Sequence, residues 1–362
     1  MKQKLIIQIV TWNSDKFLKD CLDAVFNQTY RNFSVLVIDN GSHDRTIDIL
    51  KKEYSKEVIK NNFKRKNTQL FIFQNNKNLG FSQAHNQGLR LINSQFVLIL
   101  NPDIILEPDF LDKIMKQAEK EKKVGSFSGK FLQIKGPLDD YQEKIKTEII
   151  DSVGLSILKN RHILERGQGK KDQGQYDKEK DIFGVTGASA LYRRQALEEI
   201  KIPLNKKDFE YFDQDFFAYQ EDADLAWRLQ LRGWASLFVP LARAYHYRGT
   251  GLKEKPKLID ILKGHQSRPK QVEFYSFRNH LWLLLKNDQG VNFWRHFFWI
   301  FIYEAGKKSY LFFTKPDVLL KAGFSFWASF LKMIKKRKII MENAVVNPEE
   351  MRKWMKRARF YQ

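Results

Sequence analysis

The sequence predicts an α/β fold: a mostly parallel sheet flanked by helices on both faces, with a C-terminal helical extension rich in aromatic and basic residues. Three observations lead there. Short apolar runs alternate four times with stretches of helical period over the first hundred residues, which is the pattern of a parallel sheet. Polar residues collect where those runs end. From about Lys253 the composition shifts, with 23 Lys/Arg against 9 Asp/Glu and most of the tryptophans. The expected division is therefore 1–252 for the sheet domain and 253–362 for the extension.

Leu5–Trp12 is a near-continuous apolar run, as a strand buried on both faces requires. Asp15–Asn27 reads as a helix, and Phe33–Asp39 as a second strand closing in Asp39-Asn40-Gly41-Ser42. Thr46–Tyr54 is helical and Gln69–Gln74 is a third strand. Phe81–Leu91 is a helix entered through Asn78-Leu79-Gly80, and Gln95–Leu100 is a fourth strand ending at Asn101-Pro102-Asp103. Residues 136–181 are polar and Lys/Gln/Gly-rich, and are expected as a mobile loop or hairpin insertion. Order resumes over Ile182–Tyr192. A helix follows from about Phe217 to Arg232, then a short strand over Ala235–Pro240, with His246 just beyond it.

A hydrophobic fraction of 43% and a charged fraction of 29% in 362 residues are ordinary for a globular chain, but a net charge of +21 is not. It implies an anionic partner: nucleic acid, phospholipid headgroups or phosphorylated small molecules. The single cysteine, Cys21, excludes an intramolecular disulfide and a multi-cysteine metal site; it reads as a buried core thiol in a reducing compartment. The N-terminus enters an apolar strand with no signal-peptide pattern. No apolar stretch reaches the roughly eighteen residues a spanning helix needs, Phe297–Tyr303 being far too short. The expected location is the cytoplasmic side.

In open parallel sheets ligands gather at the carboxyl ends of the strands, and these ends carry Thr11/Asn13, Asp39/Asn40, Asn75/Asn78 and Asn101/Asp103. Asp39 and Asn40 can bind a pyrimidine edge and a ribose, while helix-start amides favour phosphate; the same residues also suit a turn and a helix cap. Asp103 can hold a divalent cation against a diphosphate, since Mg²⁺ takes one or two protein carboxylates and leaves its other positions to phosphate and water. It can equally cap a helix. Glu221-Asp222-Ala223-Asp224 opens a helix, where acids complement the helix dipole; their mutual repulsion also raises a pKa towards general-base work. His246 lies among aromatics, as a core histidine or as a metal ligand.

These pieces, in this order, resemble the family 2 glycosyltransferases of GT-A fold, with the nearest likeness to bacterial rhamnosyltransferase-like members of cell-surface polysaccharide pathways. The residues that carry the likeness are Val10-Thr11-Trp12-Asn13, Val37-Ile38-Asp39-Asn40-Gly41-Ser42, Asn78-Leu79-Gly80-Phe81 with Asn86 and Gly88, Leu100-Asn101-Pro102-Asp103, Thr186-Gly187-Ala188, and Phe217 to Arg228. They span about residues 4 to 250. The resemblance implies an inverting, metal-dependent hexosyl transfer from a nucleotide-diphosphate sugar, dTDP-rhamnose or a UDP-sugar, to a hydroxyl of a glycan or polyprenyl-linked acceptor. It implies donor contacts from Thr11, Asn13, Asp39, Asn40, Ser42, Asn78, Gly80, Phe81 and Asn101. Asp103 stands where the family's Asp-X-Asp motif ends; with Asn101 in its first position one carboxylate remains for Mg²⁺ or Mn²⁺, which draws in His246 as a second ligand. Asp222 would be the general base, and Glu221, Asp224 and Gly187 would shape the site or meet the acceptor.

In the extension, Phe293–Tyr303, Phe324–Lys332 and Lys335–Lys338 mix aromatics with bases. Trp and Tyr favour the membrane interface and Lys/Arg clusters favour anionic lipid, so interfacial helices on an anionic membrane surface are expected; a helical subdomain with a solvated basic face is the other reading. A basic nucleic-acid-binding protein is a rival, but the charge gathers in the extension and the candidate site is rich in Asp and Asn, so no nucleic-acid partner is expected. A nucleotidyltransferase lacks here its Gly-rich basic loop after the first strand, and a non-catalytic sugar-nucleotide binder fits poorly with Asp103 and Asp222 both present.

Overall fold

The computed structural model describes residues 3–54, 58–59, 62–65, 68–135, 145–205, 207–247 and 268–356. In chain order the first half runs β1 (Gln3–Thr11), α1 (Leu18–Phe26), β2 (Phe33–Asp39), α2 (Thr46–Tyr54), β3 (Val58–Ile59), β4 (Asn62–Arg65), β5 (Thr68–Gln74), α3 (Phe81–Leu91), β6 (Ser94–Leu100), β7 (Ile104–Leu106), α4 (Phe110–Lys120) and β8 (Val124–Lys135). Then come β9 (Ile145–Ser152), β10 (Leu155–Leu158), β11 (Ile163–Glu165), β12 (Asp181–Ile182), β13 (Ser189–Arg193), α5 (Arg194–Ile200), β14 (Ile202–Pro203), β15 (Phe209–Glu210), α6 (Glu221–Leu231) and β16 (Ala235–Tyr247). The extension adds α7 (Lys270–Asn287), α8 (Gly290–Arg295), α9 (Phe297–Thr314), α10 (Pro316–Ala328), α11 (Phe330–Glu342), α12 (Pro348–Arg352) and β17 (Met355–Lys356).

The main sheet has the order β12-β16-β8-β13-β6-β1-β2-β5-β4-β3. β1 pairs in parallel with both β2 and β6, so the chain order reverses at β1 and opens a crevice at the carboxyl ends there. Alternation sends successive side chains to opposite faces. Leu5, Ile7 and Ile9 join one core with α1 and α4 residues such as Leu22 and Ile114, while Ile6 packs with Ala84 of α3 on the other face. Val97 and Ile99 meet Leu225 and Leu229 of α6 in a further core. Gly88 of α3 is forced by packing: a Cβ would lie 2.5 Å from the Gln8 amide. That buried amide bonds His85 Nδ1 at 2.9 Å, and burial drives the His85 pKa down to about 3.

Four sequence expectations change. The first helix begins at Leu18 and not at Asp15, because the Ser14 and Asp15 amides are tied to Thr46 Oγ1 and the Asp44 carboxylate. The last strand passes Pro240 and continues to Tyr247, absorbing the proline in a register irregularity between Phe238 and Arg243, the kind of position where a sheet tolerates proline. His246 is thus in a strand and not beyond it. The segment expected as a mobile insertion carries β9 to β11, and the bonds Ile150 N–H to Lys170 O and Val153 N–H to Arg166 O tie it down; its residues 136–144 lie outside the described residues. The helix expected from Phe217 starts at Glu221, behind a 3₁₀ turn over Gln214–Phe216.

The extension shares a core with the sheet domain. Trp282, Leu283, Met333, Ile340 and Met355 pack with Phe183, Ala223 and Trp227, and β17 pairs in parallel with β10. Beneath that core, Lys286 contacts Asp213 and Asp224, all three side chains fully buried. Among the described residues no helix is long and apolar enough to cross a membrane.

Candidate active site

At the end of β1 and β2, Thr11 lies opposite Asp39 and its hydroxyl donates to the Asp39 carboxylate at 3.2 Å. The other Asp39 oxygen accepts the Ser42 amide at 3.2 Å, and Ser42 Oγ accepts the Asn13 amide at 2.9 Å. Asn13 has φ 50°, a left-handed conformation that Asn tolerates. Thr11 and Asp39 are covered in this conformation, whereas Trp12 is 53% exposed and Asn13 is exposed. Trp12, which sequence reasoning did not single out, is therefore the large surface offered at this rim; its signal was a tryptophan directly before the loop.

Asn40 anchors the adjoining loop. Its Nδ2 donates to Asn78 Oδ1 and the Gly80 carbonyl, and its Oδ1 accepts from Asn75 Nδ2 and the Leu79 amide. Two donors and two acceptor positions are a side-chain amide's full capacity, so in this conformation the Asn40 side chain is spent on building the loop. Asn78 completes that loop by accepting the Gly80 amide at 2.8 Å. Gly80 has φ 84°, and a Cβ there would sit 2.5 Å from the Phe217 ring; only glycine serves. Phe81 packs half-buried on His85, ring centroids 4.2 Å apart.

Across the crevice, the Asn101 amide donates to the Ala188 carbonyl and the Asn101 carbonyl faces the Cys21 thiol, which is buried as expected. Asp103 Oδ2 lies 3.3 Å from His246 Nε2, and His246 Nδ1 is 2.7 Å from Asp151 Oδ2. Burial opposes charge on His246, but the hydrogen bonds and charges of Asp103 and Asp151 outweigh it and push its pKa up to about 9. Asp151 was missed because nothing in a polar segment announces that β9 will pair with β8 and carry a carboxylate beneath His246.

This cluster fits a divalent cation. Asp103 Oδ1 is buried without a hydrogen-bond partner, and His246, held through Nδ1 by Asp151, would offer Nε2 to an ion that displaces its proton. Among the described residues no three His, Cys, Asp or Glu side chains form a ready-made cage.

Asp222, in the first turn of α6, accepts the Gly187 amide at 2.9 Å and the Ala223 amide at 2.7 Å. Gly187 sits one residue before Ala188, which ties this carboxylate to the Asn101–Asp103 strand end. The neighbouring acids divide sharply. Glu221 is buried, and burial followed by the charges of Asp222 and Asp224 raises its pKa to about 8. The repulsion expected from the sequence thus falls on Glu221, while Asp222 is the partly exposed member. Asp224 has no exposure and is fixed by Arg228, Lys286 and Asn287; of its two expected roles, contact with an acceptor is ruled out in this conformation and shaping the site is left.

The profile of glycosyl transferase family 2 matches residues 6–201. The chain is 30% identical over 220 residues to the dolichyl N-acetyl-alpha-D-glucosaminyl phosphate 3-beta-D-2,3-diacetamido-2,3-dideoxy-beta-D-glucuronosyltransferase of Methanococcus voltae, covering 59% of this chain and 58% of that protein. It is 23% identical over 271 residues to the N-acetylglucosaminyl-diphospho-decaprenol L-rhamnosyltransferase of Mycobacterium tuberculosis, covering 71% of this chain and 80% of that one. The chain spans about half or less of the length of several other curated relatives it matches. A crystal structure of GalNAc-T7 with UDP, GalNAc and Mn²⁺ superposes with a TM-score of 0.56 at 14% identity, over 79% of this chain and 48% of that one, a likeness of fold. With more than half its length matched by the profile and a GT-A architecture around the crevice, the chain belongs to glycosyl transferase family 2.

Proposed function

We propose that the protein is an inverting glycosyltransferase that moves a sugar from a nucleotide-diphosphate donor to a hydroxyl of a glycan or polyprenyl-linked acceptor. The observation that carries it is a partly exposed carboxylate fixed by backbone amides (Asp222), which Gly187 and Ala188 link to the strand end that bears Asp103 and its neighbour His246. The donor would be dTDP-rhamnose or a UDP-sugar, its nucleoside on the Trp12–Asn13 rim and its diphosphate at Asp103. A cation held by Asp103 and His246 would neutralise charge on the leaving diphosphate. Asp222 would take the acceptor hydroxyl's proton as that oxygen bonds the anomeric carbon and the bond from carbon to the diphosphate oxygen breaks on the opposite face.

A thermal-shift panel of UDP, dTDP, GDP and ADP, each with and without Mn²⁺ or Mg²⁺, tests the donor site. A ligand at about a hundred times its Kd stabilises the fold by about 2.7 kcal/mol. The expected result is a metal-dependent shift with dTDP or UDP that Asp103→Ala removes. No shift with any nucleotide would sink the donor site, and an unchanged shift in Asp103→Ala would remove that residue from the metal.

The extension supports a place on the cytoplasmic leaflet. Trp294, Phe298, Trp299, Phe301, Phe313, Phe324 and Trp327 are each at least half exposed, on helices that also carry exposed Arg295, Lys308 and Lys321. Exposed aromatics beside bases suit an anionic bilayer surface, where a polyprenyl-linked acceptor would be found. Sedimentation should show binding to phosphatidylglycerol vesicles but little to phosphatidylcholine, with a loss of about tenfold or more in a Trp299→Ser/Phe313→Ser/Trp327→Ser variant. Equal binding by that variant would assign the aromatics another role.

A further inference from the structure

The segment Phe217–Gln220, which leads into α6, is strained. Phe217, Tyr219 and Gln220 have φ of 64°, 71° and 70°. Side chains of this size avoid the left-handed region, and three such residues in four persist only where the surroundings over-determine them. The surroundings are α7 of the extension. Asn279, fully buried, places Nδ2 at 2.9, 2.8 and 2.8 Å from the carbonyls of Phe216, Ala218 and Tyr219. Its own carbonyl accepts from Arg278 Nε and Nη2 at 3.0 and 2.9 Å, which fixes the amide's orientation, and Arg278 also donates to the Asp215 carbonyl at 2.9 Å. Tyr275, one helical turn away, stacks on Phe217 with ring centroids 5.1 Å apart.

Both ends of this turn lead into the crevice. Upstream, the Phe217 ring fills the space over Gly80 and its carbonyl accepts the Ser82 amide at 3.3 Å. Downstream, Gln220 is the N-cap of α6, and Asp222 follows two residues later. Any relaxation of the turn towards ordinary φ values would swing the first turn of α6 and pull Asp222 from the Gly187 amide.

We propose that Asn279 is a positioning residue for transfer: α7 holds the left-handed turn that aims Asp222, so the extension is part of the reaction apparatus. This rests on the reading of Asp222 as base. It also accounts for an asparagine with no exposure on a helix of the extension, where an apolar residue would pack with less desolvation.

The test is a kinetic double-mutant cycle in the full-length protein. Asn279→Ala should lower kcat about tenfold or more while the nucleotide Kd and the acceptor KM stay within about twofold. In an Asp222→Glu background, where the carboxylate is already displaced by one methylene, the same change should cost less than about threefold, because residues acting through one another are not additive. Arg278→Lys, which keeps the charge but loses the paired grip on the Asn279 carbonyl, should lower kcat in the same direction, and it decides the matter if Asn279→Ala does not fold. Wild-type kcat in the soluble variants, a loss confined to KM or nucleotide binding, or an undiminished loss in the Asp222→Glu background would each overturn the proposal. Failure of Asp222 itself as base is seen separately, as full activity of Asp222→Asn with no change in the extension.

Discussion

Asp222→Asn is expected to lower transfer by about 10²- to 10⁴-fold, the range a positioned general base contributes, while nucleotide binding and thermal stability stay near those of the unaltered protein. The substitution is nearly isosteric and keeps an oxygen for one of the Gly187 and Ala223 amides, which reach different carboxylate oxygens at 2.9 and 2.7 Å; the other amide is left to water at this partly exposed position. What it removes is the basic lone pair. Neither neighbour can supply a substitute: Glu221 is buried with a pKa raised to about 8, and Asp224 is enclosed by Arg228 and Lys286. Steady-state transfer measured beside nucleotide titration checks the prediction. Near-normal turnover would end the candidacy of Asp222, and loss of nucleotide binding would show that its part is in holding the site together.

Local chemistry made much of this legible in the sequence. β2, α2 and α3 have the predicted bounds because apolar period and turn residues decide them without help from distant contacts. The places of Asp39 and Asp103 at strand ends and of Asp222 at a helix start were legible for the same reason. Asn40 shows the limit of such signals, since an amide that completes a loop and an amide that binds a ligand look alike until its partners Asn75, Asn78 and Gly80 are in place. Asp151 and Asn279 were invisible for a different cause. Each acts through a partner far along the chain, Asp151 on His246 and Asn279 on the carbonyls of 216–219, and no local period encodes such pairings. The break in composition near Lys253 marks where exposed chemistry changes; the core contacts run straight across it.

That continuity makes a strong prediction for a protein cut after residue 252. Its sheet domain should fail to reach a soluble folded state. The cut removes Lys286 and Lys336, which between them contact Glu210, Asp213, Asp215 and Asp224. Asp213 is fully buried, and although burial works against its charge, Lys286 and Lys336 hold its carboxyl well below the usual range. Three acids that the extension helps to bury lose their lysine partners at once, with only Arg228 left beside Asp224, and the clustered carboxylates then repel one another. The cut also strips Trp282, Leu283, Met333 and Ile340 from a core that includes Trp227, and full burial of each large apolar side chain contributes about 1.5–3 kcal/mol. Against a total stability of about 5–15 kcal/mol for a domain, the lost apolar burial alone is of the same size. Far-ultraviolet circular dichroism and size-exclusion chromatography of the truncated protein should show aggregation or a loss of ordered structure, and Lys336→Met in the full-length protein should lower the unfolding midpoint without changing which nucleotide binds. A truncated protein that is monomeric, cooperative in unfolding and able to bind nucleotide would establish the extension as a separable unit, and would leave the buried lysines without the structural part assigned to them.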